Sequence, residues 1–182
     1  RFFGEPSYNY DTTNRNTYSV MLEHDFGNGL SFGSNTRYSK SRNGFGYTYI
    51  YDTLGAGDPA NTLVDRNYFG SDGSAEHFIT DAHFLYETEF EQVESRTLVG
   101  ADYSNFNSRG ANYYTSAPQI DFANPVFAGG PGPLSPFSSS NKDQVNGGIY
   151  LQQDLIFSDR VTASLGLRND WLDLKDVDPT NS

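Results

Sequence analysis

The sequence predicts an all-β chain: an antiparallel up-and-down meander of about six long strands, laid out as the wall of a membrane barrel. Alternating segments come in pairs, residues 17–26 with 30–40, 78–90 with 96–106, and 145–157 with 161–172. Each pair is closed by a short polar turn, at Gly27-Asn28-Gly29, at residues 91–95 and at Ser158-Asp159-Arg160. The pairs are separated by Tyr/Gly/Asn-rich stretches, roughly residues 41–76 and 107–144, far longer than ordinary hairpin connections. Clipped turns on one side and extended loops on the other are how outer-membrane barrels are built.

In the first segment Tyr18, Val20, Leu22, His24 and Phe26 share one face, and Ser19, Met21, Glu23 and Asp25 share the other. A period of two is what a half-buried strand requires. In the second, Leu30, Phe32, Ser34, Thr36 and Tyr38 alternate with the small or polar Ser31, Gly33, Asn35, Arg37 and Ser39. The third, with Phe78, Thr80, Ala82, Phe84, Tyr86, Thr88 and Phe90 on one face, extends about 40 Å at ~3.3 Å per residue. Tilted by roughly 40°, that covers the apolar band of an outer membrane with its aromatic girdles. Ala75, Phe78, Ile79, Ala82, Leu85, Tyr86 and Phe90 also match a helical stripe. The strand assignment is preferred because the segment pairs through a short turn with Thr97, Val99, Ala101 and Tyr103 in the fourth. In the last pair Val145, Gly147, Ile149, Leu151 and Leu155 oppose Asn146, Gly148, Gln152 and Asp154, and Val161, Ala163, Leu165, Leu167 and Trp171 oppose Thr162, Ser164, Gly166, Arg168 and Asp170. Aromatics gather at strand ends, Phe26, Phe90 and Phe157 beside the short turns and Tyr38, Tyr103 and Trp171 toward the long stretches, as two interfacial girdles would. The Gly55-Ala56-Gly57-Asp58-Pro59 run and the Gly/Pro/Ser run at residues 129–140 read as loop.

Composition agrees. Only 36% of the chain is hydrophobic while 15% is aromatic, and no run approaches the ~18 apolar residues of a transmembrane helix. There is no cysteine, hence no disulfide or thiolate site. Twelve basic against 23 acidic residues give a net charge of −11, which argues against nucleic acid as a partner. The chain lacks a Gly-x-Ser-x-Gly elbow, a His-Glu-x-x-His motif and a phosphate-cradling loop, and Gly44-Phe45-Gly46 has no later glycine to complete a nucleotide fingerprint. No catalytic residue is assigned. His77, Asp81, His83 and Glu87 alternate on one face as a metal site would require, although polar groups facing a water-filled lumen explain them better. Arg37, Asp102, Arg168 and Asp170 project to the same interior, to pair across strands or to contact whatever fills it.

Gly148-Ile149-Tyr150-Leu151-Gln152-Gln153-Asp154, the Ser-Asp-Arg turn and Leu165-Gly166-Leu167-Arg168-Asn169-Asp170 resemble a wall segment of TonB-dependent siderophore receptors of the ferrichrome and ferrioxamine type. That family commonly carries G-x-Y-x-Q-D-Q, a turn, then G-x-R-x-D; here Gln153 precedes the acid and Leu155 follows it. Phe3-Gly4-Glu5, residues 97–103 and residues 120–127 match the same family in the same order. The resemblance implies a barrel of about 22 strands closed by a plug, of which residues 1–182 would be a partial barrel domain without plug or remaining strands. It implies that external loops present aromatics to a ferric siderophore, which here points to Phe45, Tyr47 and Tyr49 after the second strand and to Tyr113 and Tyr114 after the fourth, with Tyr51 continuing the alternation. Iron is expected only inside its chelator, so no protein-bound metal or other cofactor is expected. The implied partners are the siderophore, the TonB complex through the plug, and the lipid of a Gram-negative outer membrane. An isolated piece has unpaired edges through which copies would associate. The alternative is a soluble all-β module whose exposed rings stack on carbohydrate.

Overall fold

The computed structural model describes residues 2–52, 62–157 and 160–177. Six antiparallel strands form one sheet in sequence order: β1 (Tyr10–Gly27), β2 (Leu30–Asp52), β3 (Leu63–Phe90), β4 (Val93–Asp121), β5 (Pro136–Phe157) and β6 (Val161–Val177). A 3-10 turn, Pro6–Tyr8, precedes β1. The residues with a helical stripe belong to β3, because unbroken pairing from Leu30↔Tyr86 to Ile50↔Arg66 holds them in register between β2 and β4.

Alternation sorts the side chains as the sequence requires. One face carries Val20, Leu22, Phe84, Val99, Ile149, Leu151, Leu165 and Leu167, and the other carries Ser19, Asn35, Asp81, Asp102, Gln152 and Arg168. The apolar face is not folded into a core: Val20 is 68%, Leu165 67% and Leu167 65% exposed. Its upper limit is a row in which Tyr18 pairs with Tyr38 and Tyr38 with Phe78, continued by Tyr103 and Trp171 on either side of Gly147. The Trp171 ring covers Gly147, where a Cβ would stand 2.5 Å from it. Phe26, Phe32, Phe84, Phe90 and Phe157 mark the opposite limit near the tight turns, with Phe32 and Phe84 ring centroids 5.1 Å apart.

The tight turns lie at one end. Asn28 and Gly29 both take positive φ, the two-residue geometry that matches strand twist. The second turn is tighter than the sequence implies: β3 and β4 are joined through Glu91 and Gln92 alone, with Glu91 at φ 53°, so residues 93–95 belong to β4. No Gly or Asn announces that position. At the third turn only Arg160 is described, its N–H donating to Phe157 O at 3.0 Å; Ser158 and Asp159 lie outside the described residues, as does the Gly55–Pro59 run.

The largest correction concerns the long stretches. Much of residues 41–76 and 107–144 is strand, since β2 and β3 continue to Asp52 and from Leu63, β4 runs to Asp121, and β5 starts at Pro136. Strands of 22, 23, 28 and 29 residues are two to three times the ~9–11 residues that span a bilayer. The surplus rises beyond the aromatic row.

Candidate functional site

Above that row, on the polar face, the sheet carries a continuous aromatic patch. Tyr47 pairs with Phe69 and Phe69 with Tyr114, so one cross-strand row presents three rings. Phe45 stacks on Tyr47 at 6.1 Å and 9°, and Phe69 lies 5.9 Å from Phe45 and 5.6 Å from Tyr47. Tyr49 is 5.8 Å from Tyr47. On β5, the register shift between Asn112 and Tyr113 gives the strand one extra residue, Phe137, whose ring lies 6.4 Å from Phe69 and 6.3 Å from Tyr114. Bulges re-aim side chains in this way. Desolvation first, then neighbouring Tyr49 and Tyr51, raises the Tyr114 hydroxyl above the usual tyrosine value. At neutral pH it is a hydrogen-bond donor. Asn67, in the next row between Tyr49 and Ser116, is buried beside these phenols.

Four of the five sequence-assigned residues, Phe45, Tyr47, Tyr49 and Tyr114, meet in this patch, but on strands rather than loops. Tyr113 is turned away: it pairs with Gly70 on the opposite face, beside Tyr10. Adjacent residues of a strand point to opposite faces, so Tyr113 and Tyr114 cannot act together. Phe69, Asn67 and Phe137 were missed. Phe69 precedes Ser71, Gly73 and Ala75, too small to reveal an alternation, and Phe137 follows a proline in a Gly/Pro/Ser-rich run.

The outer face behind the patch is clasped by two segments from distant parts of the chain. Arg66 donates from Nη2 to Glu5 Oε1 at 2.7 Å, from Nε to Pro118 O at 2.9 Å and from Nη1 to Phe3 O at 2.9 Å. Glu5 also accepts the backbone N–H of Gly129 at 2.9 Å and of Ala128 at 3.2 Å, and the Tyr68 hydroxyl donates to Gly129 O at 2.6 Å. Both charged side chains are fully buried, among Val64, Tyr68 and Ile120. Phe3-Gly4-Glu5 and residues 120–127, two separate motifs in the sequence, are therefore tied together, because Glu5 caps the Ala128 and Gly129 N–H groups just after the second. Burial alone raises the Glu5 carboxyl, but the Gly129 and Ala128 N–H groups and Arg66 outweigh it and hold it below the ordinary glutamate value of 4.5. A carboxylate with a depressed value stabilises the fold fully above its unfolded value and loses that contribution as pH falls through the folded one. Acidification below about pH 4.5 is expected to lower the protection of the Ala128 and Gly129 amides against hydrogen exchange, measured by mass spectrometry and corrected for the slower intrinsic exchange in acid, while the protection of strand amides at mid-sheet is unaffected.

Lower on the polar face, Tyr150 donates to Asp81 Oδ2 at 2.7 Å, and Arg168 holds Asp102 at 2.8 Å and Asp170 at 2.6 Å. The Arg168 guanidinium is 5.7 Å from the Tyr150 ring centroid. Gly100 and Gly148 make room, for a Cβ would stand 2.3 Å from Tyr150 and 2.4 Å from Arg168. His77, Asp81, His83 and Glu87 do share this face but have partners of their own: His77 with Ser104 at 3.0 Å, Asp81 with Tyr150 and with His83 at 3.5 Å, and Glu87 with Arg96 at 3.2 Å.

A sheet apolar on one face, polar on the other, bounded by two aromatic rows and prolonged far beyond one of them, defines a segment of a membrane β-barrel wall. The chain belongs to the TonB-dependent receptor-like β-barrel family, whose model matches residues 1–182. It is 28% identical over 177 residues to the ferrioxamine B receptor of Salmonella typhimurium, covering 97% of this chain and 24% of that one. To the ferrioxamine receptor of Yersinia enterocolitica it is 25% identical over 159 residues, covering 86% of this chain and 19% of that one. The chain thus spans about a quarter or less of the length of these relatives. In fold it is similar to the ferric-catecholate import receptor Fiu of E. coli K12 (TM-score 0.71, 18% identity, 97% of this chain and 28% of that one). It is likewise similar to BauA, the ferric preacinetobactin receptor of Acinetobacter baumannii (TM-score 0.62, 18% identity, 90% and 25%). The soluble carbohydrate-binding alternative is set aside by this membership.

Proposed function

We propose that the chain is part of the barrel wall of a Gram-negative outer-membrane receptor, and that Phe45, Tyr47, Tyr49, Phe69, Tyr114 and Phe137 contact a ferric siderophore entering from outside. The observation that carries this is the position of the patch: on the lumen-facing side, past the aromatic row, with Tyr47 40%, Tyr114 43% and Phe137 56% exposed. Rings offer large contact area at low entropic cost, and the hydroxyls of Tyr47, Tyr49 and Tyr114 are donors suited to the chelate oxygens that surround the iron. The names of the sequence relatives support a hydroxamate chelate such as ferrioxamine as cargo. Uptake would need a plug and the TonB complex, with the Asp81–Tyr150–Arg168–Asp102 network facing the plug. Iron enters this scheme only as part of the cargo.

In the full-length receptor, changing Tyr47, Tyr49, Phe69 and Tyr114 together to Ala is expected to weaken equilibrium binding of radiolabelled ferric ferrioxamine B roughly 100-fold. Tyr113→Ala, on the other face, is expected to leave it unchanged. Unaltered binding in the fourfold variant, or equal loss in both, would overturn the assignment.

A further inference from the structure

We propose that Asn67 is a further binding residue of the patch, whose side-chain N–H takes a carbonyl oxygen of the chelate, from an amide or a hydroxamate. The inference deepens the siderophore reading above and rests on it. Asn67 is 3% exposed, and its Nδ2 is buried with no hydrogen-bond partner among the described residues. A buried donor left unpaired is an exception in a folded protein and lowers its stability, so its presence calls for a reason. Two other side-chain atoms among the described residues share that condition, but neither lies in the patch. Thr48 Oγ1 belongs to the outer face, where Thr48 pairs with Tyr68, and Asp154 Oδ1 lies near the third tight turn.

The wall holds this donor in place. Asn67 stands between Tyr49 of β2 and Ser116 of β4, one row above Tyr47, Phe69 and Tyr114. The preceding residue, Arg66, is pinned on the other face by oxygens of Glu5, Pro118 and Phe3, and the β3–β4 pairing shifts register immediately beyond it. With the backbone fixed from behind and the Tyr114 phenol beside it, the amide is kept facing the rings. Tyr114 is itself 43% exposed, and exposed side chains change rotamer within nanoseconds. A ligand seated on the patch therefore displaces that phenol and meets a donor already in position. An uncharged N–H suits a carbonyl oxygen, and the bond removes the penalty that the unpaired donor imposes. A ligand without such an oxygen leaves the penalty standing and binds more weakly.

The test reads binding and folding separately. Full-length receptor would be purified as wild type, Asn67→Leu and Asn67→Asp. Its Kd for ferric ferrioxamine B would be measured by quenching of intrinsic fluorescence, beside the Tm of the ligand-free protein. Leu keeps the branched shape and removes the unpaired donor, so Asn67→Leu is expected to keep or raise the Tm while binding about tenfold more weakly. Asn67→Asp puts an acceptor in the same place and is expected to lose at least as much affinity. Ser116→Ala, in the same row, is expected to lose none. Wild-type affinity in Asn67→Leu contradicts this inference alone. So does a fall in its Tm, or a failure to fold, since either makes Asn67 a structural residue. A wild-type receptor with no affinity for ferric ferrioxamine B contradicts the siderophore reading and this inference together.

Discussion

Arg66→Ala is expected to destabilise the outward tips of β3 and β4 by about 3–5 kcal/mol, because it strands the fully buried Glu5 carboxylate without its cation. The loss exceeds the ion pair itself, since the same guanidinium also serves the Pro118 and Phe3 carbonyls. Hydrogen exchange at Ala128, Gly129 and Tyr68 in the full-length receptor is the direct readout, and it should accelerate there first. Glu5→Ala frees the Ala128 and Gly129 N–H groups as well as Arg66, so it should be similarly damaging. The double variant should cost clearly less than the two single costs added, as residues of one network do. Additive costs would mean that the pair is not coupled. Because Asn67 and Phe69 follow Arg66 on the lumen face, loosening the clasp should also weaken the siderophore binding proposed above without touching a ring of the patch.

The second large effect is expected at the first tight turn. Gly29 has φ +78°, and a Cβ there would stand 1.9 Å from the Glu87 carbonyl oxygen of the neighbouring strand. Its own carbonyl accepts the Glu87 N–H at 2.8 Å, so the two backbones cannot simply part. Gly29→Ala combines left-handed strain with a backbone collision, together about 3 kcal/mol or more. It should lower the temperature at which the full-length barrel loses its compact electrophoretic mobility. Gly27→Ala is the control: φ is also +78°, but a Cβ there meets nothing within 4 Å. It should bear only the strain, about 1 kcal/mol. Equal effects would place the penalty in φ rather than in the collision.

The strand cores were legible because their two faces meet different solvents. Val20 against Ser19, or Leu165 against Ser164, differ enough in polarity for a period of two to stand out. Beyond the aromatic row both faces are wet. Lys40 and Arg42 on one side and Ser41 and Asn43 on the other give no contrast, so the pattern reads as loop although the backbone pairing is uninterrupted. The patch was partly legible for the same reason. Tyr47 and Tyr49 keep their alternation, whereas Tyr113 and Tyr114 are sequence neighbours that only the register assigns to different faces. Phe137 depends on a bulge, and the Glu5–Arg66 pair joins residues 61 apart, for which single residues carry no local signal. Glu5 and residues 120–127 are visible in the sequence only as fragments of a family pattern, and the structure supplies a physical reason: the carboxylate caps the backbone just after that run.

The two-solvent arrangement of the sheet is tested most directly by single cysteines, a residue these 182 positions lack. Cysteines placed one at a time at Ser19, Val20, Met21, Leu22, Ser164, Leu165, Gly166 and Leu167 of the full-length receptor in native membranes would be labelled with a charged maleimide. An environment-sensitive fluorophore would then be quenched by lipid-borne spin labels. The structure predicts strict alternation: positions 20, 22, 165 and 167 shielded from the maleimide and quenched from lipid, positions 19, 21, 164 and 166 labelled and unquenched. Labelling without alternation, or the reverse alternation, would contradict it.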